Sequence, residues 1–234
     1  MSQADIDRDQ LKRAAADHAV AEIRDGMVVG LGSGTTAAFA VAALARRVSA
    51  GLRVTCIPTS EKTATLARQL GVPLTDFQRH RSIDLTIDGA DQVERATLNL
   101  VKGLGGALLR EKIVAVASRR LIIIVDEAKM VERLGDPVVL PVEVAPFGHE
   151  ALIPRLEKIG LAPRLRMEDG RPFATDGGHY ILDCRCGEIS DAGALEQQLA
   201  QMVGVVESGL FIKLATTVVI GRPQGIEIMQ ASQG

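Results

Sequence analysis

Apolar and polar positions along this chain follow two rhythms. In the first half, short runs with almost no polar interruption alternate with stretches whose apolar residues fall three and four apart. The runs at 27–32 (MVVGLG), 52–60 (LRVTCIPTS), 83–88 (IDLTID) and 120–126 (RLIIIVD) predict buried strands. The helical spacing covers 9–23, 36–48, 61–70 with Gly71 as its stop, and 107–118. Strand and helix taking turns imply parallel strands with crossover helices, so the expected fold class is α/β with a Rossmann-like, doubly wound sheet.

After Asp126 the rhythm changes. Strands are expected at 138–144, 162–167, 179–186 and 205–211, with helices within 148–160 and 191–204 and a loop at 168–178. That order, β-α-β-β-α-β, is the split pattern of a smaller ferredoxin-like α+β domain. The run 216–221 (TTVVIG) reads as one more strand of the first domain. The expected limits are 1–130 plus 208–234 for a catalytic Rossmann-like domain and 131–207 for the small one.

Composition narrows the class. Hydrophobic residues make up 47% of the chain but aromatics only 3%, so the core is built from Ala, Val, Leu and Ile. A net charge of −2 and the scarcity of stacking rings argue against nucleic acid and anionic membranes as partners. No apolar run approaches the ~20 residues a spanning helix needs. The opening MSQADIDRDQLKR lacks the apolar core of a signal peptide, and a cytoplasmic location is expected. Cys56 and the pair Cys184 and Cys186 fit a reducing compartment. No histidine or further cysteine stands at ligand spacing, so these thiols are read as structural.

Four segments carry candidate chemistry. The first, GLGSGTTA (30–37), joins a strand to a helix; its glycines, its hydroxyls at Ser33, Thr35 and Thr36, and the free N–H groups of the helix start suit a phosphate. A dinucleotide loop would need G-x-G-x-x-G and an acid after the next strand, which here ends in PTS. A plain tight turn is the alternative. The second, DGAD (88–91), ends a strand on the side where α/β sheets bind ligands, so Asp88 and Asp91 are placed to meet sugar hydroxyls or move protons. Equally, Asp91 could cap a helix and Asp88 close a turn. Two acids without further ligands make a poor metal site.

The third segment is KGLGGALLREK (102–112). In one straight helix Lys102 and Glu111 would stand about 14 Å apart, but the glycines break the helix and can fold the lysine back. A cation, backbone N–H groups and a carboxylate would then suit proton abstraction beside a carbonyl. From helix pattern alone, Arg110-Glu111-Lys112 reads rather as a solvated face. The fourth, VDEAK (125–129), offers Lys129 at another strand end. The four histidines are scattered, with no paired spacing.

In this order, VGLGSGTTA, PTSEKT, TIDGAD, KGLGGALLREK, VDEAK, LPVEVAPFG and GVVESGLF resemble the ribose-5-phosphate isomerase A family over nearly the whole chain. The resemblance implies interconversion of ribose 5-phosphate and ribulose 5-phosphate without metal or organic cofactor. It implies Glu111 as the general base between C2 and C1, Lys102 as stabiliser of the enediolate, and Asp88 and Asp91 at the sugar hydroxyls. It further implies substrate contacts at Ser33, Gly34, Thr35, Thr36, Gly89, Ala90, Gly103, Leu104, Gly105 and Lys129, with Lys12 reaching the phosphate, in a homodimer. The chain departs from the family pattern at Leu104, where glycine is usual and where a positive φ would strain the loop. It departs also at Gln92 for Glu, Ala128 for Ser, and IKLATT (212–217) for a run with an acid. Rivals are a sugar-phosphate sensor, for which no segment is left to form a DNA-binding helix-turn-helix, and deaminases or lactonases of similar scaffold, which need a histidine near the site. A Rossmann oxidoreductase is more distant.

Overall fold

Strand β6 below is buried at all six positions, as the central strand of a two-sided parallel sheet requires. The computed structural model describes residues 3–231. Helix α1 (Gln3–Ala21) is followed by β1 (Val28–Leu31), α2 (Gly34–Ser49), β2 (Thr55–Pro58), α3 (Glu61–Gln69), β3 (Leu85–Asp88), β4 (Gln92–Glu94), β5 (Leu100–Val101), α4 (Leu108–Val116), β6 (Leu121–Asp126) and β7 (Met130–Val131). Then come β8 (Leu140–Val144), α5 (Ile153–Glu157), β9 (Ala162–Leu165), β10 (Met167–Glu168), β11 (Arg171–Pro172), β12 (Tyr180–Arg185), α6 (Ala192–Ala200), β13 (Val205–Ser208), β14 (Leu210–Phe211), β15 (Thr217–Arg222) and β16 (Gly225–Gln230). The described residues gather into two compact units.

The first unit runs up to Ala90 and includes Arg110–Met130 and the chain from Lys213 on. Its sheet has the order β16-β15-β6-β3-β1-β2. All neighbours pair in parallel except β15 and β16. Strand β15 takes its place beside β6, as the pattern at 216–221 implies. From β1 the chain goes outward to β2 and then returns to β3 on the other side. The carboxyl ends of β1 and β3 therefore flank the switch point where sheets of this kind bind ligands. Aliphatic residues from α1, α2 and the strands, among them Ala15, Ala19, Val41, Leu44, Val29 and Ile122, form its core.

The second unit holds Asp91–Leu109 and Val131–Ile212. Segment 91–109 thus groups with the second unit, whereas the expected limits leave it in the first. The four-stranded sheet has the order β13-β8-β12-β9, every pair antiparallel. This is the ferredoxin-like arrangement the β-α-β-β-α-β order implies. Leu152, Leu156 and Leu199 cover one face of it, over Leu140, Val142, Val144 and Leu182. A second small sheet runs β14-β5-β4-β7. The expected loop at 168–178 contains a hairpin, β10 with β11, turned through Asp169 and Gly170 at φ 49° and 76°. Asp-Gly supplies this double positive φ at little cost.

Candidate active site

On the first unit, the glycines in and just after β1 serve the approach of two strands. A Cβ at Gly30 would lie 1.9 Å from Thr86 Oγ1, and one at Gly32 would lie 2.1 Å from Asp88 Oδ1 and 2.6 Å from Asp88 Cα. Only glycine lets β1 run this close to β3. Asp88 is buried at 2% exposure, and its Oδ1 accepts the N–H groups of Ser33 (3.1 Å) and Gly89 (2.8 Å). The acid at the end of β3 therefore ties the turn after β1 to its own strand. It neither caps a helix nor faces bulk water.

Ser33 precedes α2, but its hydroxyl makes no capping bond there. It lies instead 2.8 Å from Thr59 Oγ1, 2.7 Å from Ser60 Oγ and 3.2 Å from Thr63 Oγ1. Thr59 and Thr63 continue to the carbonyls of Leu31 and Gly32, each at 3.0 Å. Ser60 also caps α3 by accepting Thr63 N–H. These hydroxyls brace the loop from behind, which leaves the first-turn N–H groups of α2 without a capping side chain. Thr35 is exposed; Thr36 is partly buried, its Cβ within 3.6 Å of where a Gly89 Cβ would stand.

Helix α4 buries Leu108, Val114 and Ala115, and turns two charged residues inward with them. Glu111 and Lys112 are 5% and 8% exposed, whereas Ile113 and Val116 are 49% and 67% exposed. Acidic and basic side chains are seldom turned inward unless something there uses them. The solvated-face reading of Arg110-Glu111-Lys112 thus fails for Glu111 and Lys112, while Arg110 stays at the surface. Arg110 Nη1 donates to Glu61 Oε1 at 2.8 Å, and this bond with its charge holds the Glu61 carboxyl below the usual range. At the end of β6, Asp126 accepts Ala128 N–H (3.0 Å) and closes the turn that carries the half-buried Lys129. Lys12, on α1, pairs with Asp9 at 3.4 Å.

On the second unit, Lys102 is buried at 3% exposure, with its Nζ 5.5 Å above the Phe211 ring. Its N–H donates to Gly209 O at 2.9 Å. The next residues turn sharply: Gly103 and Gly106 have φ of 103° and 79°, and Gly106 N–H donates to Gly103 O at 3.0 Å. Leu104 is not among the positive-φ residues, and its side chain is 44% exposed. Strain at Leu104, the consequence expected if that position needed positive φ, is absent. Asp91 Oδ2 accepts Leu104 N–H at 3.0 Å, so Asp91 and the loop are held together. Gln92 explains itself: its amide donates to Gly135 O (2.7 Å) and accepts from Gly135 N–H (2.8 Å), a reciprocal pair a carboxylate cannot make.

The structure thus brings Ser33, Gly34, Thr36, Asp88 and Gly89 together on the first unit, which also holds Thr35, Ala90, Glu111 and Lys129. Asp91, Lys102, Gly103, Leu104 and Gly105 belong to the second. The chain passes from one unit to the other between Ala90 and Asp91 and again between Leu109 and Arg110, within the two segments the sequence singles out.

Residues 55–225 match the family model of ribose 5-phosphate isomerase A (phosphoriboisomerase A). The ribose-5-phosphate isomerase A of Gloeobacter violaceus is 56% identical over 97% of this chain and 99% of its own length. The chain belongs to the ribose 5-phosphate isomerase A family. It is an enzyme, an isomerase of a pentose phosphate. The Agrobacterium fabrum isomerase is 50% identical over 97% of this chain and 100% of its own. Among solved structures, ribose 5-phosphate isomerase A from Methanocaldococcus jannaschii superposes with a TM-score of 0.91 at 38% identity, covering 94% of this chain and 98% of its own. A D-ribose-5-phosphate isomerase in complex with phospho-erythronic acid gives 0.92 at 33%, covering 95% and 99%.

Set against this isomerase, the sequence reading passes over three groups. The Thr59-Ser60-Thr63 brace lies in PTSEKT, a part of the family resemblance, but its local signal is only an N-cap serine with an acid after it. Gln92 is noticed as a departure but not as an amide pair. Arg166, just after β9, and Asp183, on β12, carry no local signal at all.

Proposed function

We propose that this isomerase interconverts D-ribose 5-phosphate and D-ribulose 5-phosphate, in the non-oxidative pentose phosphate pathway, through a cis-enediolate with Glu111 as general base. The observation that carries the reading is the inward-turned, buried Glu111, on a helix that leaves Ile113 and Val116 exposed. Glu111 takes the C2 proton of the open-chain aldose. The C–H electrons form the C1–C2 double bond, and the aldehyde π electrons move to O1. The O2 proton passes to O1, Glu111 returns its proton to C1, and C2 becomes the carbonyl. Lys102 and N–H groups of the 103–105 loop stabilise the oxygen charge in this scheme. Asp88 and Asp91 contact sugar hydroxyls and serve ring opening or the oxygen-to-oxygen transfer.

Because the Ser33 hydroxyl is engaged behind its loop, phosphate recognition falls to the first-turn N–H groups of α2 and the hydroxyls of Thr35 and Thr36. Lys129 is a further contact. The bound ligand of one solved relative supports the scheme. The carboxylate of phospho-erythronic acid is planar and anionic, as is the enediolate, whose O1 and O2 sit on the adjacent trigonal carbons C1 and C2. We carry a cytoplasmic homodimer in the same reading, checked by sedimentation.

The test is turnover of ribose 5-phosphate in D2O. Deuterium at C1 of the ribulose 5-phosphate, and a fall of ~100-fold or more in Glu111→Gln, are expected. Product without deuterium would point to internal transfer of the hydrogen, and a fully active Glu111→Gln would move the base elsewhere. EDTA is expected to change nothing.

A further inference from the structure

The loop at 103–106 owes its shape to a side chain sixty residues away. Arg166 binds Asp183 through two parallel bonds, Nε to Oδ2 at 2.9 Å and Nη2 to Oδ1. Its remaining nitrogen, Nη1, donates to the carbonyls of Gly103 and Leu104, both at 3.1 Å. The guanidinium lies 5.6 Å from the Phe173 ring centre, and that ring fills the space beside Gly106, within 2.4 Å of where a Cβ would stand. On the other side of the Gly103–Leu104 peptide, Asp91 accepts the N–H.

Peptide planarity turns these contacts into an orientation. In a trans peptide the C=O and the following N–H point in opposite directions. With the Leu104 carbonyl drawn to Arg166, the N–H of Gly105 is aimed the opposite way, to the side from which Asp91 holds the N–H of Leu104. We propose that Arg166, fixed by Asp183, is a positioning residue of this isomerase: it sets the loop's backbone donors for the reacting sugar without touching the sugar itself. The inference rests on the proposed role of the 102–105 loop in substrate binding. Arginine is required at this position because a planar fork must serve a carboxylate and two carbonyls at once, which an ammonium cannot do.

The experiment compares Arg166→Met, Arg166→Lys and Asp183→Asn with Leu156→Ala, a core truncation on α5 in the same unit. For Arg166→Met a loss of ~30-fold in kcat/KM is expected, most of it in kcat, since misplacing a group by an ångström costs on the order of 100-fold. Arg166→Lys is expected to recover only part of this, and Asp183→Asn to lose less. Amide hydrogen exchange at Leu104 and Gly105 is expected to quicken in Arg166→Met without substrate. Activity within ~3-fold of wild type, full rescue by lysine, or an equal loss in Leu156→Ala at matched melting temperature would overturn the proposal. Lys102→Met in the same assay separates the two readings. Should it keep full turnover while exchange at 104–105 still responds to Arg166, the clamp stands and the substrate role of the loop falls.

Discussion

The two glycine loops of this isomerase look alike in sequence and are held by different supports. In GLGSG, Gly30 and Gly32 are needed because strand β3 leaves no room for a Cβ, whereas Gly34 has open space and a positive φ of 90°. In KGLGG, Gly103 and Gly106 combine positive φ with a side chain in the way of a Cβ, Leu108 at 2.9 Å and Phe173 at 2.4 Å, while Leu104 between them is not strained. The first loop is braced by neighbours in its own strand–helix unit: Asp88 and the hydroxyls of Ser33, Thr59, Ser60 and Thr63. The second hangs on Asp91 at one end and on Arg166, distant in sequence, at the other. A glycine run therefore marks a site without saying whether space, backbone conformation or ligand approach demands it.

Substitution separates these grounds. The largest effect is expected for Gly32→Ala, whose methyl would sit 2.6 Å from the Asp88 Cα; main chain cannot yield there, and a loss of ~3 kcal/mol or more in urea unfolding, or failure to fold, is expected. Leu104→Gly should change stability by less than ~1 kcal/mol, since it relieves no strain and only frees the unfolded chain. A large gain in stability from that glycine would show that position 104 is strained after all.

Gln92→Glu tests the second loop's surroundings at intermediate size. The residue is 2% exposed and its amide is doubly paired with Gly135. A carboxylate there repels the Gly135 carbonyl and is costly to bury, so a loss of ~2 kcal/mol at neutral pH is expected. The introduced acid would have a raised pKa in the fold, because the neutral form can donate to that carbonyl. The variant's deficit should therefore shrink as pH falls through that pKa. A deficit independent of pH would remove the amide pair from the explanation. Ser33→Ala, which deletes three hydroxyl contacts at once, is expected to cost ~1–2 kcal/mol.

How far the sequence carried follows from the range of the interactions. The parallel sheet was legible because β1, β2, β3 and β6 are apolar runs separated by helical periods. The switch point followed from Asp88 and the 30–37 loop at strand ends. The sheet of β14, β5, β4 and β7 was not legible, since strands of two or three residues have no period to read. Strand β16 was missed as well; its residues are exposed or half-buried along an edge. Glu111 was recognisable by family resemblance, but its burial was not, because helix spacing alone assigned it to a solvated face. Arg166 was invisible because its partners lie 17, 62 and 63 residues off.

The smallest and most local test uses the thiols as reporters of the two supports. Cys56, in β2 just before the Thr59-Ser60 brace, and Cys184, next to Asp183 in β12, are both fully buried. Burial pushes each thiol up to about 12. An unfolded cysteine titrates near ~8.5, so the fold favours the neutral thiol. That stabilisation is whole below pH ~8.5 and is lost as pH climbs toward the folded value. At pH 8 neither thiol should react with iodoacetamide except through opening, and its rate then measures the opening free energy. Ser33→Ala should speed alkylation of Cys56 by ~5–30-fold, the factor that corresponds to 1–2 kcal/mol, and Arg166→Met should speed Cys184 while leaving Cys56 as it was. Equal acceleration of both thiols by either substitution would mean that each reports only global unfolding, and that the two loops share one support instead of having one each.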